Sequence, residues 1–201
     1  METGRLLVSL IHYPVYVLGP GKRVGLWTQG CKIRCPGCIS KHTWEFDESK
    51  AMDVEQVARI LKEFNCDRLT ISGGEPFDQA QALFELLKMV REHFKDILVY
   101  TGYKMEDIKR KHKEYLCLID AIVDGRFIEG LESEYAYKGS ENQRLFILNR
   151  ELLERYSQWM HRRKDKMLQV VRLEDKIYLI GIPYQKHAKK LSHEIQNMPK
   201  L

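Results

Sequence analysis

Apolar and polar positions alternate with two different periods along the first two-thirds of the chain. Short runs rich in apolar and β-branched residues predict strands at residues 6–11, 23–28, 68–72, 97–101 and 119–123. Apolar residues spaced three or four positions apart predict amphipathic helices at residues 54–64, 77–94 and 105–115. Asp53 and Gln56 have the spacing of a capping box at the start of the first helix. This alternation is typical of right-handed βαβ units on a parallel sheet, which places the chain in the α/β class.

The last third of the chain has a different pattern. An irregular loop is predicted at residues 129–140 and a helix at residues 151–163. A β-hairpin is predicted from strands at residues 168–172 and 176–182. We therefore predict a main domain at residues 1–150. Residues 151–201 are predicted to form an extension of helix, hairpin and polar tail that packs on the same domain.

Residues that commonly take part in binding or catalysis follow several of the predicted strands. They are the cysteine loop of residues 30–38, Gly73-Gly74-Glu75-Pro76, Thr101-Gly102-Tyr103 and Asp124-Gly125-Arg126. In open parallel sheets, ligands bind outside the carboxyl ends of the strands, where such loops meet. The sequence therefore predicts one active site at that edge of the sheet.

Three of the five cysteines lie within eight positions, as Cys31, Cys35 and Cys38. An odd cysteine count without a secretory signal disfavours a disulfide framework and indicates metal or redox chemistry. Three thiolates without an obvious fourth suit an iron–sulfur cluster in which one iron binds a non-protein ligand. A structural zinc site with His42 as the fourth ligand fits the same spacing and stays open at this point. The other two cysteines stand alone in apolar surroundings and are interpreted as small core residues.

Composition and charge indicate in which compartment the protein is expected and which classes of partner are not expected. Of the 201 residues, 44% are hydrophobic, which is enough to bury a core. No apolar run approaches the roughly 20 residues that a membrane span needs, so no membrane association is expected. The apolar segment near the N-terminus is broken by His12 and Pro14 and is interpreted as a strand rather than a signal peptide, so we expect a cytoplasmic protein. The net charge of +5 fits a solvated helix face as well as nucleic acid, and no direct nucleic-acid binding is expected.

The spacing of the three cysteines, followed by Gly73-Gly74-Glu75-Pro76, resembles the signature of the radical S-adenosylmethionine (SAM) superfamily. This resemblance implies a [4Fe–4S] cluster on Cys31, Cys35 and Cys38, which are then the catalytic and metal-binding residues. It also implies that the open iron binds SAM, which is cleaved reductively to methionine and a 5′-deoxyadenosyl radical. The SAM-binding residues implied by the resemblance are Gly73, Gly74, Glu75, Pro76, Thr101, Tyr103 and Asp124.

Further segments narrow the resemblance to the activating proteins of anaerobic ribonucleotide reductase. They are residues 19–23, 27–31, 35–38, 43–44, 123–127 and 139–145. The group implies a partial (β/α)6 barrel that is open at the side, here with a C-terminal helix and β-hairpin extension. It implies that the substrate is a glycine of a glycyl-radical enzyme, either anaerobic ribonucleotide reductase or a related enzyme. It also implies that a flavodoxin- or ferredoxin-type protein donates the electron. Gly37 stands where many radical SAM proteins have an aromatic residue, as it does in this group.

Two alternatives stay open at the level of the sequence. One is a radical SAM enzyme that modifies a small molecule, such as a nucleotide or a deazapurine precursor, as in the 7-carboxy-7-deazaguanine synthase family. The other is a non-catalytic zinc-binding module. The extension at residues 151–201 exceeds the short activating proteins, which leaves the identity of the partner open.

Overall fold

The fold is described from a computed structural model, over residues 4–164, 168–173, 176–184 and 186–187. Its strands are β1 (Arg5–Val15), β2 (Arg23–Thr28), β3 (Ala51–Asp53), β4 (Arg68–Gly73), β5 (Asp96–Tyr100), β6 (Ala121–Asp124), β7 (Arg144–Ile147), β8 (Leu168–Leu173) and β9 (Lys176–Gly181). Its α-helices are α1 (Val54–Glu63), α2 (Ala80–Val90), α3 (Met105–Lys111) and α4 (Leu153–Met160). These elements confirm an α/β protein.

The main sheet is mostly parallel at its centre. Its seven strands are ordered β3-β1-β2-β4-β5-β6-β7, and the four strands β2, β4, β5 and β6 run parallel. Strands β1 and β7 pair antiparallel with β2 and β6. The six βα units of the predicted partial barrel are therefore not confirmed by the described residues. Thr28 pairs with Gly73, so the loops after β2 and β4 begin at the same level.

Helices α1, α2 and α3 cover one face of this sheet with a continuous apolar core. The core includes Leu26, Ile71 and Val99 from the strands and Leu61 and Leu86 from the helices, all fully buried. Burial of each such side chain contributes about 1.5–3 kcal/mol. The helices lie on this face because their apolar residues recur with the helical period, as the sequence predicts.

The opposite face of the sheet encloses a buried ion pair. Arg23, which is fully buried, donates to both carboxylate oxygens of Asp96 at 2.8 and 3.0 Å. It also donates to Thr70 Oγ1 at 2.7 Å and to the Leu69 carbonyl at 2.7 Å. The Tyr156 hydroxyl of α4 donates to Asp96 at 2.6 Å. Burial opposes ionisation of Asp96, but the charge and hydrogen bonds of Arg23 hold its pKa below the usual value.

Residues 151–201 contribute to the fold through α4 and the hairpin of β8 and β9. Trp159 of α4 packs against Leu98 and Val123 of the sheet, and Ile180 of β9 packs against Val15 and Leu18. The predicted helix and hairpin are thus confirmed, whereas the domain division at residue 150 stays a prediction. The tail from residue 188 lies outside the described residues. In the part of the chain that is described, no helix is long and apolar enough to cross a membrane.

Several local predictions are wrong. The capping box does not form: Asp53 is the N-cap of α1 without a side-chain hydrogen bond, and it belongs to β3, where it pairs with Arg5. The helix predicted at 77–94 begins as a 3-10 turn at Pro76–Gln79 before α2. Cys117 is exposed and is not a core residue, whereas Cys66 is half-buried and packs against the core. Strands β3 and β7 were not predicted, because they are too short for a periodic signal.

Candidate active site

One cavity of about 990 Å³ lies where the carboxyl ends of the parallel strands meet. The predicted site residues that line it are Cys31, Cys35, Cys38, Gly73, Gly74, Glu75 and Thr101. The predicted residues Pro76, Tyr103 and Asp124 do not line it. The cavity thus brings together the loops after β2, β4 and β5, as expected for parallel strands.

The cysteine loop is held against the segment that follows it. The backbone N–H of Gly30 donates to the Thr43 carbonyl at 2.8 Å, and that of Cys31 donates to the Trp44 carbonyl at 2.9 Å. Gly30 has φ of +97°, and a Cβ there would lie 2.5 Å from the ring of Phe46. A larger residue at position 30 would therefore displace the loop.

All three cysteines of the loop are free thiols, and two of them, Cys31 and Cys35, accept hydrogen bonds from backbone amides. Burial raises the pKa of Cys31, and hydrogen bonds from the backbone of Arg34 and Ile33 oppose the shift. Burial raises the pKa of Cys35 in the same way, against a hydrogen bond from the backbone of Phe127. Amide donors to sulfur stabilise thiolate ligands and tune the potential of iron–sulfur clusters. The sulfur environment therefore fits a cluster.

The thiols of the cysteine loop are not gathered around one point in the described residues. Within the residues that the structure describes, no three His, Cys, Asp or Glu side chains form a group that could hold one ion. A zinc ion needs ligands that converge on one point, whereas each thiolate of a cluster binds a different iron. Two buried polar atoms of the cavity wall, Trp44 Nε1 and the Tyr100 hydroxyl, have no hydrogen-bond partner in the described residues, which fits a cavity that takes a polar ligand.

The glycine loop after β4 lies directly against the start of the cysteine loop. The backbone N–H of Gly74 donates to the Thr28 carbonyl at 2.8 Å, and that of Glu75 donates to the Gly30 carbonyl at 2.8 Å. A Cβ on Gly74 would lie 2.1 Å from the Gly30 carbonyl oxygen, and a Cβ on Gly73 would lie 2.4 Å from the Thr28 nitrogen. Only glycine allows this approach, which fixes the two loops relative to each other.

Glu75 joins the loop after β4 to the end of β5. Its buried carboxylate accepts hydrogen bonds from the Thr101 hydroxyl at 2.8 Å, from the Gly102 N–H at 2.7 Å and from the Phe77 N–H at 3.0 Å. Burial raises the pKa of Glu75 to about 7, although these three hydrogen bonds favour the charged form. A carboxylate has about four acceptor positions, so about one is left for a ligand donor. Binding of the SAM amino group by Glu75 stays a prediction.

The raised pKa of Glu75 predicts an effect of pH on the apoprotein. Between the ordinary value of 4.5 and about 7, the folded protein retains a proton that the unfolded chain has lost. The free energy of unfolding should therefore fall across this window, by on the order of 3 kcal/mol. Glu75→Gln should abolish the fall, because glutamine does not titrate. Urea denaturation on either side of the window measures it.

The control for this prediction is Glu63→Gln, at an exposed glutamate of α1. It should retain the fall in stability with rising pH that the natural chain shows. An unchanged pH dependence in Glu75→Gln would show that Glu75 is not the group responsible.

Asp78 supports the cysteine loop, a role that the sequence analysis missed. Its carboxylate accepts from the Lys32 N–H at 2.6 Å and from the Tyr103 hydroxyl at 2.7 Å. Tyr103 therefore acts on the cysteine loop through Asp78, and its predicted contact with SAM stays a prediction. Gln79 has a similar role, because its side chain donates to the Gln29 carbonyl at 2.9 Å. The only signal in the sequence was that Asp78 and Gln79 closely follow Gly73-Gly74-Glu75-Pro76.

Asp124 is buried below the cavity and is engaged with protein groups. Its carboxylate accepts from the Met105 N–H at 2.7 Å, at the start of α3, and from the guanidinium of Arg144. Arg144 in turn pairs with Glu106 at 2.8 Å. Gln143, in contrast, lines the cavity and donates to the Gly125 carbonyl at 2.7 Å. A role of Asp124 toward SAM stays a prediction.

Comparisons with known proteins agree with this site. Residues 17–146 match the family described as 4Fe-4S single cluster domain. The anaerobic ribonucleoside-triphosphate reductase-activating protein of Enterobacteria phage T4 is 36% identical over 142 residues, which cover 67% of this chain and 90% of that protein. This chain belongs to the 4Fe-4S single cluster domain family. The Escherichia coli (strain K12) protein with the same name as the phage relative is 33% identical over 144 residues, 66% of this chain and 93% of that protein.

The family match and the similarity to the activating proteins together identify the chain as a radical SAM enzyme of the activating-protein type. Its cofactors are a [4Fe–4S] cluster and SAM, which decides against the zinc module. Among solved structures, QueE from Escherichia coli has a TM-score of 0.40 and 20% identity, covering 49% of this chain and 52% of that chain. So weak a likeness adds nothing to the assignment.

Proposed function

We propose that this protein cleaves SAM reductively and generates a glycyl radical on an anaerobic ribonucleotide reductase. The observation that carries the proposal is the single cavity shared by the cysteine loop and the glycine loop after β4. The names of the relatives support the reductase as the partner. The electron donor is proposed to be a flavodoxin- or ferredoxin-type protein.

A [4Fe–4S] cluster held by Cys31, Cys35 and Cys38 would, when reduced, supply the electron for cleavage of a carbon–sulfur bond of SAM to methionine and a 5′-deoxyadenosyl radical, and this radical would abstract a hydrogen atom from the glycine. The residues of the chain provide the positions for this chemistry. Cys31, Cys35 and Cys38 hold the cluster, and the close contact of the Gly73-Gly74 backbone with Thr28 and Gly30 places the glycine loop beside it. The remaining acceptor position of Glu75 suits the SAM ammonium.

The amount of 5′-deoxyadenosine tests the proposal. Anaerobically reconstituted and reduced protein is incubated with SAM, with and without the anaerobic ribonucleotide reductase of the same host. We expect the yield to rise in proportion to the added reductase, together with the electron paramagnetic resonance signal of a glycyl radical. A 5′-deoxyadenosine yield that does not depend on the reductase but rises with a nucleotide-like compound would favour the small-molecule alternative. An iron-loaded protein that forms no 5′-deoxyadenosine would refute the proposal.

A further inference from the structure

Strand β9 forms one wall of the active-site cavity, although it lies outside the family match at residues 17–146. Residues 176–183 line the cavity as an unbroken run that covers all of β9 and the two residues after it. No residue of β8, the other strand of the hairpin, lines the cavity. The hairpin is therefore placed with β9 toward the cavity and β8 behind it.

The unbroken run indicates which side of β9 is presented. Successive side chains of a strand point to opposite faces, so a strand that presents a face lines a cavity with every second residue. Every residue of Lys176–Gly181 lines this cavity, which is expected when the edge of the strand faces it. On its other edge β9 pairs with β8 over its whole length, and it pairs with no further strand in the described residues. Backbone N–H and C=O groups of alternate β9 residues are therefore available to the cavity.

Contacts with the main sheet hold this edge in place. Ile180 is only 3% exposed and packs against Val15 and Leu18. The side-chain amide of Gln169 on β8 donates to the Pro14 carbonyl at 2.7 Å, and its oxygen accepts from the Tyr16 N–H at 3.2 Å. A strand edge that is already fixed loses little conformational entropy when it binds a second strand.

We propose that the edge of β9 binds the glycine-bearing segment of the partner enzyme as an added, extended strand. This inference rests on the proposed function, and it concerns how the substrate is recognised. An extended polypeptide repeats N–H and C=O groups at the spacing of a strand edge, which a small planar molecule does not. Cys35 and Cys38 line the same cavity, so a segment paired with β9 would enter the cavity that contains the cluster site. Recognition of this kind uses the backbone of β9 and depends little on its side chains.

Paired proline and alanine variants distinguish backbone from side-chain recognition. Ile177, Tyr178 and Leu179 are each replaced by proline and by alanine. The N–H groups of successive β9 residues point alternately toward β8 and toward the free edge. Proline at a residue whose N–H points toward β8 disrupts the hairpin, whereas proline at a residue whose N–H points the other way removes only a donor from the free edge. Amide hydrogen exchange of β8 identifies the proline variant that keeps the hairpin. We expect it to raise the KM for the reductase about tenfold, while the alanine variants change it less than about twofold.

Peptide binding provides a second readout that does not depend on turnover. A fluorescent peptide that copies the glycine segment of the reductase is titrated with SAM-loaded protein, and its anisotropy is measured. A peptide N-methylated at every second residue is the control, because N-methyl groups prevent strand pairing. We expect the methylated peptide to bind at least about tenfold more weakly. Equal binding of the two peptides would overturn the inference.

Failure of the inference about β9 and failure of the proposed function give different experimental results. If the reductase stimulates 5′-deoxyadenosine formation by the natural chain and the hairpin-intact proline variant has the same KM, the inference about β9 is overturned and the proposed function stands. If the reductase does not stimulate the natural chain, both are overturned.

Discussion

Cys35→Ala should lose the iron–sulfur cluster and reduce 5′-deoxyadenosine formation to the level seen without protein. Cys35 is one of three thiols in the cavity, and a cluster that lacks one of three protein ligands has too few bonds to remain in place. Iron and sulfide per chain, the colour of the reconstituted protein and the 5′-deoxyadenosine yield measure the effect. The same loss is expected for Cys31→Ala and Cys38→Ala.

Cys117→Ala is the matched control for the cluster variants. Cys117 is exposed, and its thiol donates to the Glu114 carbonyl at 3.2 Å. This variant should keep the full iron content and the activity of the natural chain. A Cys35→Ala protein that retained both would disprove the cluster ligands proposed for this chain.

Asp96→Ala should destabilise the folded protein by about 3–5 kcal/mol, because it leaves the buried guanidinium of Arg23 without a counter-charge. It also removes the acceptor of the Tyr156 hydroxyl. Such a loss is a large part of the stability of a typical domain, about 5–15 kcal/mol. Asp96→Asn keeps the shape of the side chain and part of its hydrogen bonding. The free energy of unfolding of this variant should lie between those of Asp96→Ala and the natural chain. Urea denaturation of the three proteins measures the free energies of unfolding.

Asp107→Ala is the control, because Asp107 pairs with Arg110 on the surface of α3. Exposed pairs contribute little, so the denaturation midpoint should not change measurably. The folded-state pKa of Asp96 lies below its unfolded value, so the contribution of the ion pair is complete above the unfolded pKa. It is lost as the pH falls through the folded-state pKa. The difference between Asp96→Ala and the natural chain should therefore shrink in acid, and a constant difference would contradict this account.

The main features of the fold and of the site were predictable because they depend on local patterns. The strands at 23–28 and 68–72 have strong apolar signals, and parallel pairing of β2 with β4 then places the loops after them at one edge. Contacts between distant side chains leave no such signal. The support of the cysteine loop by Asp78 and the packing of Ile180 on Val15 join residues far apart in the sequence. The six βα units that the resemblance implies are not confirmed by the described residues, because the directions of β1 and β7 depend on strand pairing and leave no periodic signal in the sequence.

The hydrogen bond from the Tyr156 hydroxyl to Asp96 links the C-terminal extension to the buried ion pair of the sheet. Tyr156 lies on α4, beyond the family match, yet it closes over Asp96, which belongs to the matched part. A homologue without α4 would expose the carboxylate and its guanidinium partner to water. Residues 19–23 resemble the short activating proteins, so we expect Arg23 and Asp96 to remain in homologues that lack the helix, with another polar group in place of the Tyr156 hydroxyl. Covariation of position 156 with that group would record how the extension was joined to the sheet.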